Sequence, residues 1–336
     1  MHAKPNFSSV NSSPCELSHD PSTPLAAVTG AAGFIGQHLV LALAQAGWRT
    51  RMLMRREPDQ QPWRVLHPQV VAGSLGDEAA LARLVDGADA VIHVAGLIKA
   101  ARRSDFFDIN RDATATLART VKRLAPHAHF VHLSSLAARE PTLSDYAASK
   151  RAGEQAVLNV LGARATVIRP PAVYGPGDRE TLRFFQLARR RLVPLLGTAD
   201  AVVAMIHVQD LTRLILALTV APPSGAVLTA ADGRPAGYRW DELLGAAAHA
   251  VGNSSPRFVT APQRLLGGVA LLGDLARALG SASMLSSQKL RELRHPDWGV
   301  SAGELAQPAG WAAQFDLDAG FADAVAWYRS AGWLPK

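Results

Sequence analysis

Tyr146 and Lys150 stand four residues apart in Tyr146-Ala147-Ala148-Ser149-Lys150, a spacing that puts a phenol and an ammonium on one face of a helix. A nearby cation favours phenolate over phenol, so such a pair can exchange a proton with a substrate oxygen although an isolated phenol ionises only near about pH 10. Upstream, His132-Leu133-Ser134-Ser135 ends an apolar run with two hydroxyls. Ser135 is the first candidate to donate a hydrogen bond to the same oxygen as charge develops on it. Ser135, Tyr146 and Lys150 therefore form the candidate catalytic set.

A second group has the chemistry of a phosphate cradle. Thr29-Gly30-Ala31-Ala32-Gly33-Phe34-Ile35-Gly36 follows the short buried run Ala26-Ala27-Val28 and opens a segment of helical period. Glycines there permit a tight turn and a close backbone approach to a pyrophosphate, while a helix N-terminus supplies free N–H groups and a positive dipole end. Gly30, Gly33, Phe34, Ile35 and Gly36 are the expected contacts. The next apolar run ends Leu53-Met54-Arg55-Arg56. An NAD site usually offers a carboxylate at this point; the Arg55 guanidinium instead suits a 2′-phosphate, so NADP(H) is expected over NAD(H). Ser74 and Leu75 end a third run where a side chain reaches an adenine, and Ala95 and Gly96 end a fourth, small enough to admit a ribose. Neighbouring His93 reads as a packed histidine. No metal site is expected.

These groups need a scaffold that ends several strands on one edge. Short apolar runs at 26–28, 51–54, 70–71, 90–94, 130–133 and 165–168 alternate with helical segments at 34–46, 78–85, 106–124 and 146–161. Six strands separated by helices imply a Rossmann-type doubly wound parallel α/β sheet with right-handed crossovers. After Tyr174 glycine, proline and arginine become denser. A smaller C-terminal substrate-binding lobe is expected over 176–336, following a Rossmann domain over 25–175. A helix is expected at 181–191, and a strand (202–208) and helix (209–218) return to the first domain.

The chain has 336 residues, a formal net charge of +7 and one cysteine, Cys15. A lone cysteine excludes an intramolecular disulfide and suits a reducing, cytoplasmic setting. Residues 1–24, rich in Ser, Asn and Pro, read as a disordered tail. No apolar run reaches the length of a membrane span.

Together these motifs resemble the extended short-chain dehydrogenase/reductase superfamily, the NAD-dependent epimerase/dehydratase family, over residues 25–215. The resemblance rests on Thr29 to Gly36, His93 to Gly96, Asn110 to Thr114, Ser134-Ser135, Tyr146 to Lys150, Arg169 to Asp178 and His207-Val208-Gln209-Asp210. It implies proton transfer by Ser135, Tyr146 and Lys150, with Pro170 to Val173 against a nicotinamide and Lys150 also on its ribose. Two departures stand out beside Arg55. Ser74 replaces the usual adenine-side Asp, and only ten residues separate Ser135 from Tyr146, which argues against a nucleotide-sugar substrate. The run Arg169-Pro170-Pro171-Ala172-Val173-Tyr174-Gly175-Pro176-Gly177-Asp178 and the short Ser–Tyr interval resemble bacterial reductases of 3-oxo-sphingolipids.

The expected activity is thus NADPH-dependent reduction of a ketone on a hydrophobic substrate, the 3-oxo group of a sphingoid base or ceramide. Three segments are apolar and cationic at once, at 183–191, 263–279 and 289–295, and such segments suit a membrane interface. Peripheral contact with the inner face of the cell membrane is accordingly expected, though these helices also suit a plain cover for the lobe. A nucleotide-sugar epimerase or dehydratase and a non-catalytic NADP-binding scaffold subunit of a membrane complex remain as alternatives. Nucleic acid is not expected as a partner, since the basic runs lack interleaved aromatics. A homodimer is compatible with the sequence.

Overall fold

The first strand, β1 (Leu25–Thr29), is buried along its whole length, with Ala26 and Val28 in the core on one side and Ala27 in the core on the other. Successive strand residues point to opposite faces, so a strand apolar throughout needs helices on both. The computed structural model describes residues 23–56, 66, 68–195, 198, 200–260 and 286–335. The N-terminal tail to residue 22 and the apolar, cationic run 263–279 lie outside them.

From β1 the chain runs through α1 (Phe34–Gln45), β2 (Arg49–Met54), β3 (Gln69–Ala72), α2 (Glu78–Val85) and β4 (Ala90–His93). The long helix expected at 106–124 begins earlier and is not uniform: α3 (Arg103–Phe107), a wide π-helical stretch (Asp108–Ala113), then α4 (Thr114–Leu124). β5 (His129–Leu133), α5 (Asp145–Leu161) and β6 (Ala165–Arg169) complete the six expected strands. Beyond them lie β7 (Ala172–Tyr174), α6 (Leu182–Ala188), β8 (Leu192–Leu195), β9 (Val202–Val203), β10 (Met205–His207), α7 (Val208–Val220) and β11 (Val227–Thr229).

The main sheet is parallel, in the order β11-β6-β5-β4-β1-β2-β3. Its seventh strand, β11, is not among the six read from the sequence; three residues beside β6 give too little pattern to stand out. Leu39, Leu43, Leu211, Leu214 and Ile215 of α1 and α7 fill one face of the sheet, and Leu81, Leu84, Leu117, Val121 and Val157 of α2, α4 and α5 fill the other. Strand order reverses between β1 and β4, and a doubly wound sheet opens its binding crevice at that switch point.

Two expectations need correction. The strand at 202–208 is two: β10 pairs with β7, while β9 joins a small sheet with β12 (Tyr238–Arg239), the chain changing partners at Ala204. The helix at 181–191 stops at Ala188, because the carbonyls of Ala188 and Arg190 accept from Asn253 Nδ2 (2.8 and 3.0 Å) and strand β8 follows.

The C-terminal lobe continues with α8 (Trp240–Ala250), β13 (Arg257–Thr260), α9 (Ser287–Leu293), β14 (Asp297–Trp298) and α10 (Leu317–Ser330). Its core is aromatic. Phe321 sits edge-on to Tyr174 and Phe185, with ring centroids 5.0 Å away in each case, and Tyr328 and Trp333 stack at 5.9 Å.

Candidate active site

The glycine turn lies at the switch point, and each glycine has its own reason. Gly30 has φ +76°, and a Cβ there would stand 2.6 Å from Ala95 N, so the turn can press against the end of β4 only without a side chain. A Cβ on Gly36 would stand 2.1 Å from Gly30 O, which fixes glycine where α1 packs onto its own turn. Gly33 is exposed, caps α1 without a side-chain bond, and no acidic residue occupies the first turn. The N-terminus of α1, with Phe34 and Ile35 half-buried beside it, is therefore free of competing negative charge, which suits a pyrophosphate.

Arg55 and Ser74 end neighbouring strands. Met54 pairs with Ala72, Gly73 N donates to Met54 O at 3.0 Å, and both Arg55 and Ser74 are exposed just beyond. Leu75 packs half-buried against the core behind them.

Short distances tie this cradle to the candidate catalytic pair. A Cβ on Gly96 would lie 3.3 Å from Asn110 Oδ1 and 3.5 Å from Lys150 Nζ, so the missing side chain leaves room for both. Lys150 is buried and donates to Leu133 O at 2.7 Å, and burial pushes its ammonium down to about 8, opposed by Glu154. Tyr146, half-buried against Phe106, behaves differently from the sequence expectation. Burial pushes its phenol up to about 12; a hydrogen bond with the Ser135 side chain works against the rise, and the Glu292 carboxylate adds to it. The group is held as a phenol, the form that gives a proton.

The two serines divide their work. Ser134 is buried and donates to Glu154 Oε1 at 2.6 Å, and Glu154 also accepts two bonds from Arg169, at 2.7 and 2.6 Å. That buried, fully bonded pair joins α5 to the end of β6. Ser135 is half-buried, accepts from Ala137 N and faces Tyr146. Pro170 lies next to it, its carbonyl accepting from Leu136 N at 2.8 Å, and Val173 follows on β7, half-buried against the sheet core. The structure brings Ser135, Tyr146 and Lys150 into one site with Gly96.

Several residues of this site were not singled out from the sequence. Asn110 is buried; its amide donates to Leu97 O and Ser149 Oγ (both 2.9 Å) and its Oδ1 accepts from Leu97 N (2.7 Å). It sits in the π-helical stretch, whose carbonyl at Asn110 comes so close to α5 that a Cβ on Gly153 would stand 2.1 Å from it. Only the Asn110 to Thr114 segment hinted at this. His93 is a buried relay between hydroxyls, 2.7 Å from Thr29 Oγ1 and 2.8 Å from Thr114 Oγ1, and burial pushes it down to about 3. It is the packed histidine expected.

The N-terminus of α5 is held from the lobe. Ser144 accepts from Ala147 N at 3.0 Å and donates to the buried carboxylate of Glu292, while Gln288 exchanges two bonds with Asp145 (3.0 and 2.8 Å). Arg291 reaches Leu143 O, and Lys289 pairs with Glu292. Through Gln288, Arg291 and Glu292 this segment is bonded to the start of the catalytic helix. Its partners lie 143 to 148 residues upstream in Leu143, Ser144 and Asp145, a pairing that periodicity does not reveal.

The chain is similar to proteins of one family. The model of the NAD dependent epimerase/dehydratase family matches residues 26–228. A ceramide reductase of Caulobacter vibrioides (strain NA1000 / CB15N) is 46% identical over 312 residues, which cover 92% of this chain and 96% of that protein. Sterol demethylase protein B of Methylococcus capsulatus (strain ATCC 33009 / NCIMB 11132 / Bath) is 27% identical over 343 residues, 91% of this chain and 99% of that one. The crystal structure of gox2253 shares the fold, with a TM-score of 0.73 at 22% identity over 92% of this chain and 98% of that one.

Proposed function

The chain belongs to the NAD dependent epimerase/dehydratase family, and from that membership we propose that it is an NADPH-dependent reductase of the 3-oxo group of a sphingoid base or ceramide. It is an NAD(P)-dependent oxidoreductase; the finer reading is carried by the 46% identity to a ceramide reductase across 92% of the chain. The site supports it. Ser135 bonds the phenol of Tyr146, and buried Lys150 stands beside Gly96, so a proton donor and a hydroxyl for the carbonyl oxygen meet in one place.

Gly30, Gly33, Phe34, Ile35 and Gly36 would hold the pyrophosphate, Arg55 the 2′-phosphate, Ser74 and Leu75 the adenine side, Ala95 and Gly96 a ribose, and Pro170 and Val173 the nicotinamide. When bound, the cofactor supplies hydride to the carbonyl carbon. Tyr146 donates its phenolic proton to the carbonyl oxygen, and Ser135 donates a hydrogen bond to that oxygen as it gains charge. Lys150, anchored on Leu133 O, holds a positive charge beside the phenolate left behind until a proton from solvent restores the phenol. Glu154 and Arg169 fix the strand ends from which Ser135 and Pro170 project.

A lipid ketone also places the protein at the cytoplasmic face of a membrane as a peripheral protein; no helix among the described residues is long and apolar enough to cross one. Tyr146→Phe separates binding from chemistry: turnover should fall on the order of a thousandfold while NADPH binding, followed by fluorescence, stays largely intact. A Phe variant with most of the wild-type turnover would remove Tyr146 from the role assigned to it.

A further inference from the structure

The arginine run at 183–191 is not used by the site, and the structure places its end beside an apolar surface. Strands β8 and β13 form a two-stranded parallel ribbon, with Leu192 beside Arg257, Val193 beside Phe258 and Pro194 beside Val259. Partner residues in a parallel pair share a face, and alternate residues point the same way. Leu192, Pro194, Arg257 and Val259 therefore share one face. The ribbon is pinned to the lobe by Val193, which is fully buried, and by Asn253, which bonds the carbonyls of Ala188 and Arg190.

That outward face is unusual for this molecule. On it Leu192 is 59% exposed and Val259 48%, while Phe258, paired with Val193 on the opposite face, is 37% exposed; these are three of the seven large apolar residues exposed among the described ones. The other four, Val70, Ile98, Leu124 and Val220, stand singly on separate elements, as scattered apolar residues do on any soluble surface. Charge gathers at the same place. Arg189, Arg190 and Arg191 are exposed immediately before β8, and Arg257 N bonds Arg191 O at 2.9 Å, which brings a fourth guanidinium alongside. The sequence has no acidic residue between Glu180 and Asp200, or between Glu242 and Asp274, so neither strand carries an internal counter-charge.

Apolar side chains ringed by arginines fit an interface where acyl chains meet lipid phosphates. We propose that the β8–β13 ribbon, with Leu192 and Val259 inserted and Arg189, Arg190, Arg191 and Arg257 on the headgroups, is the surface by which this protein docks on an anionic lipid bilayer. The proposal deepens the membrane part of the reading above and rests on it for the origin of the substrate. The observations that carry it are those of the ribbon.

The test is co-sedimentation of the full chain, without substrate or cofactor, with vesicles of mixed phosphatidylglycerol and phosphatidylcholine or of phosphatidylcholine alone. Wild type should sediment with the anionic vesicles and be released by raised salt. Arg189→Glu/Arg190→Glu/Arg191→Glu should lower the partition coefficient on the order of a hundredfold. Leu192→Ser/Val259→Ser should weaken binding without changing its salt dependence. All these side chains are exposed, and circular dichroism together with turnover of a detergent-dissolved ketone should match wild type.

Three results would overturn the proposal: wild type left in the supernatant with anionic vesicles, an arginine variant that sediments like wild type, or a wild-type dimer that the variants convert to monomer, which would make the ribbon a contact between copies. Failure of the reductase reading looks different, since it would abolish turnover in every variant and leave sedimentation unchanged.

Discussion

The sheet and the C-terminal lobe are built on different principles. In the sheet, each of the first six strands is read from its own few residues: Ala27 and Phe130 are buried on the face covered by α2, α4 and α5, and α1, α2 and α5 begin within a residue of where the sequence pattern places them. Apart from β4 beside β1 and β11 beside β6, neighbouring strands there follow one another in the chain. In the lobe, strands of two to four residues find partners far away, as when Val202 and Val203 bond both Tyr238-Arg239 and Asp297-Trp298. Such strands are too short to show a period, and what fixes them is an aromatic core assembled from α6, α8 and α10 around Tyr174. Local pattern specifies the cofactor half; long-range packing specifies the lobe.

The largest expected effect probes whether the halves fold together. Phe321 packs on Tyr174 from β7, so Phe321→Ala should cost about 3–5 kcal/mol and lower the denaturant midpoint of one shared transition. A separate early transition of the lobe would instead make it an independent unit. The next concerns the cofactor half. Removing the charge-assisted bonds of Arg55 by Arg55→Ala should weaken NADPH by about 1.5–3 kcal/mol and leave NADH nearly unchanged, as measured by comparing kcat/KM for the two. Equal loss with both would assign Arg55 a merely structural part.

A smaller effect tests the clamp between the halves. Glu292→Ala leaves the Ser144 hydroxyl without its acceptor and should cost about 1–3 kcal/mol in stability, with a lower kcat, while Glu292→Gln recovers most of the loss. An Ala variant indistinguishable from wild type would mean that α9 merely rests on the catalytic helix. The smallest is a shape rather than a loss. Lys150 is lowered to about 8, so its ammonium, and with it the rate, should decline as pH rises through that value, whereas the phenol of Tyr146, near 12, stays protonated throughout. Lys150→Arg, charged at every accessible pH, should move the alkaline limb upward.

The same contrast explains what was legible in the sequence. The glycine turn, Arg55, and Ser135, Tyr146 and Lys150 are local motifs at the ends of readable elements, so their gathering at one edge follows from a parallel sheet alone. Asn110 was hidden because its inward turn depends on a π-helical stretch that helical periodicity does not reveal, and Glu292 because its partner Ser144 lies 148 residues away. For a related reason, spacing reveals the cation near Tyr146 but neither the burial of its phenol nor the carboxylate that arrives from the lobe.

The central claim, reduction of a lipid ketone by this site, is tested most directly by NADPH consumption with purified protein and 3-oxo-sphinganine or 3-oxo-ceramide in detergent, beside NADH and a panel of nucleotide sugars. Oxidation of NADPH by the lipid ketones, slower with NADH and absent with the sugars, is the predicted result. Silence with both ketones together with turnover of a nucleotide sugar would contradict it.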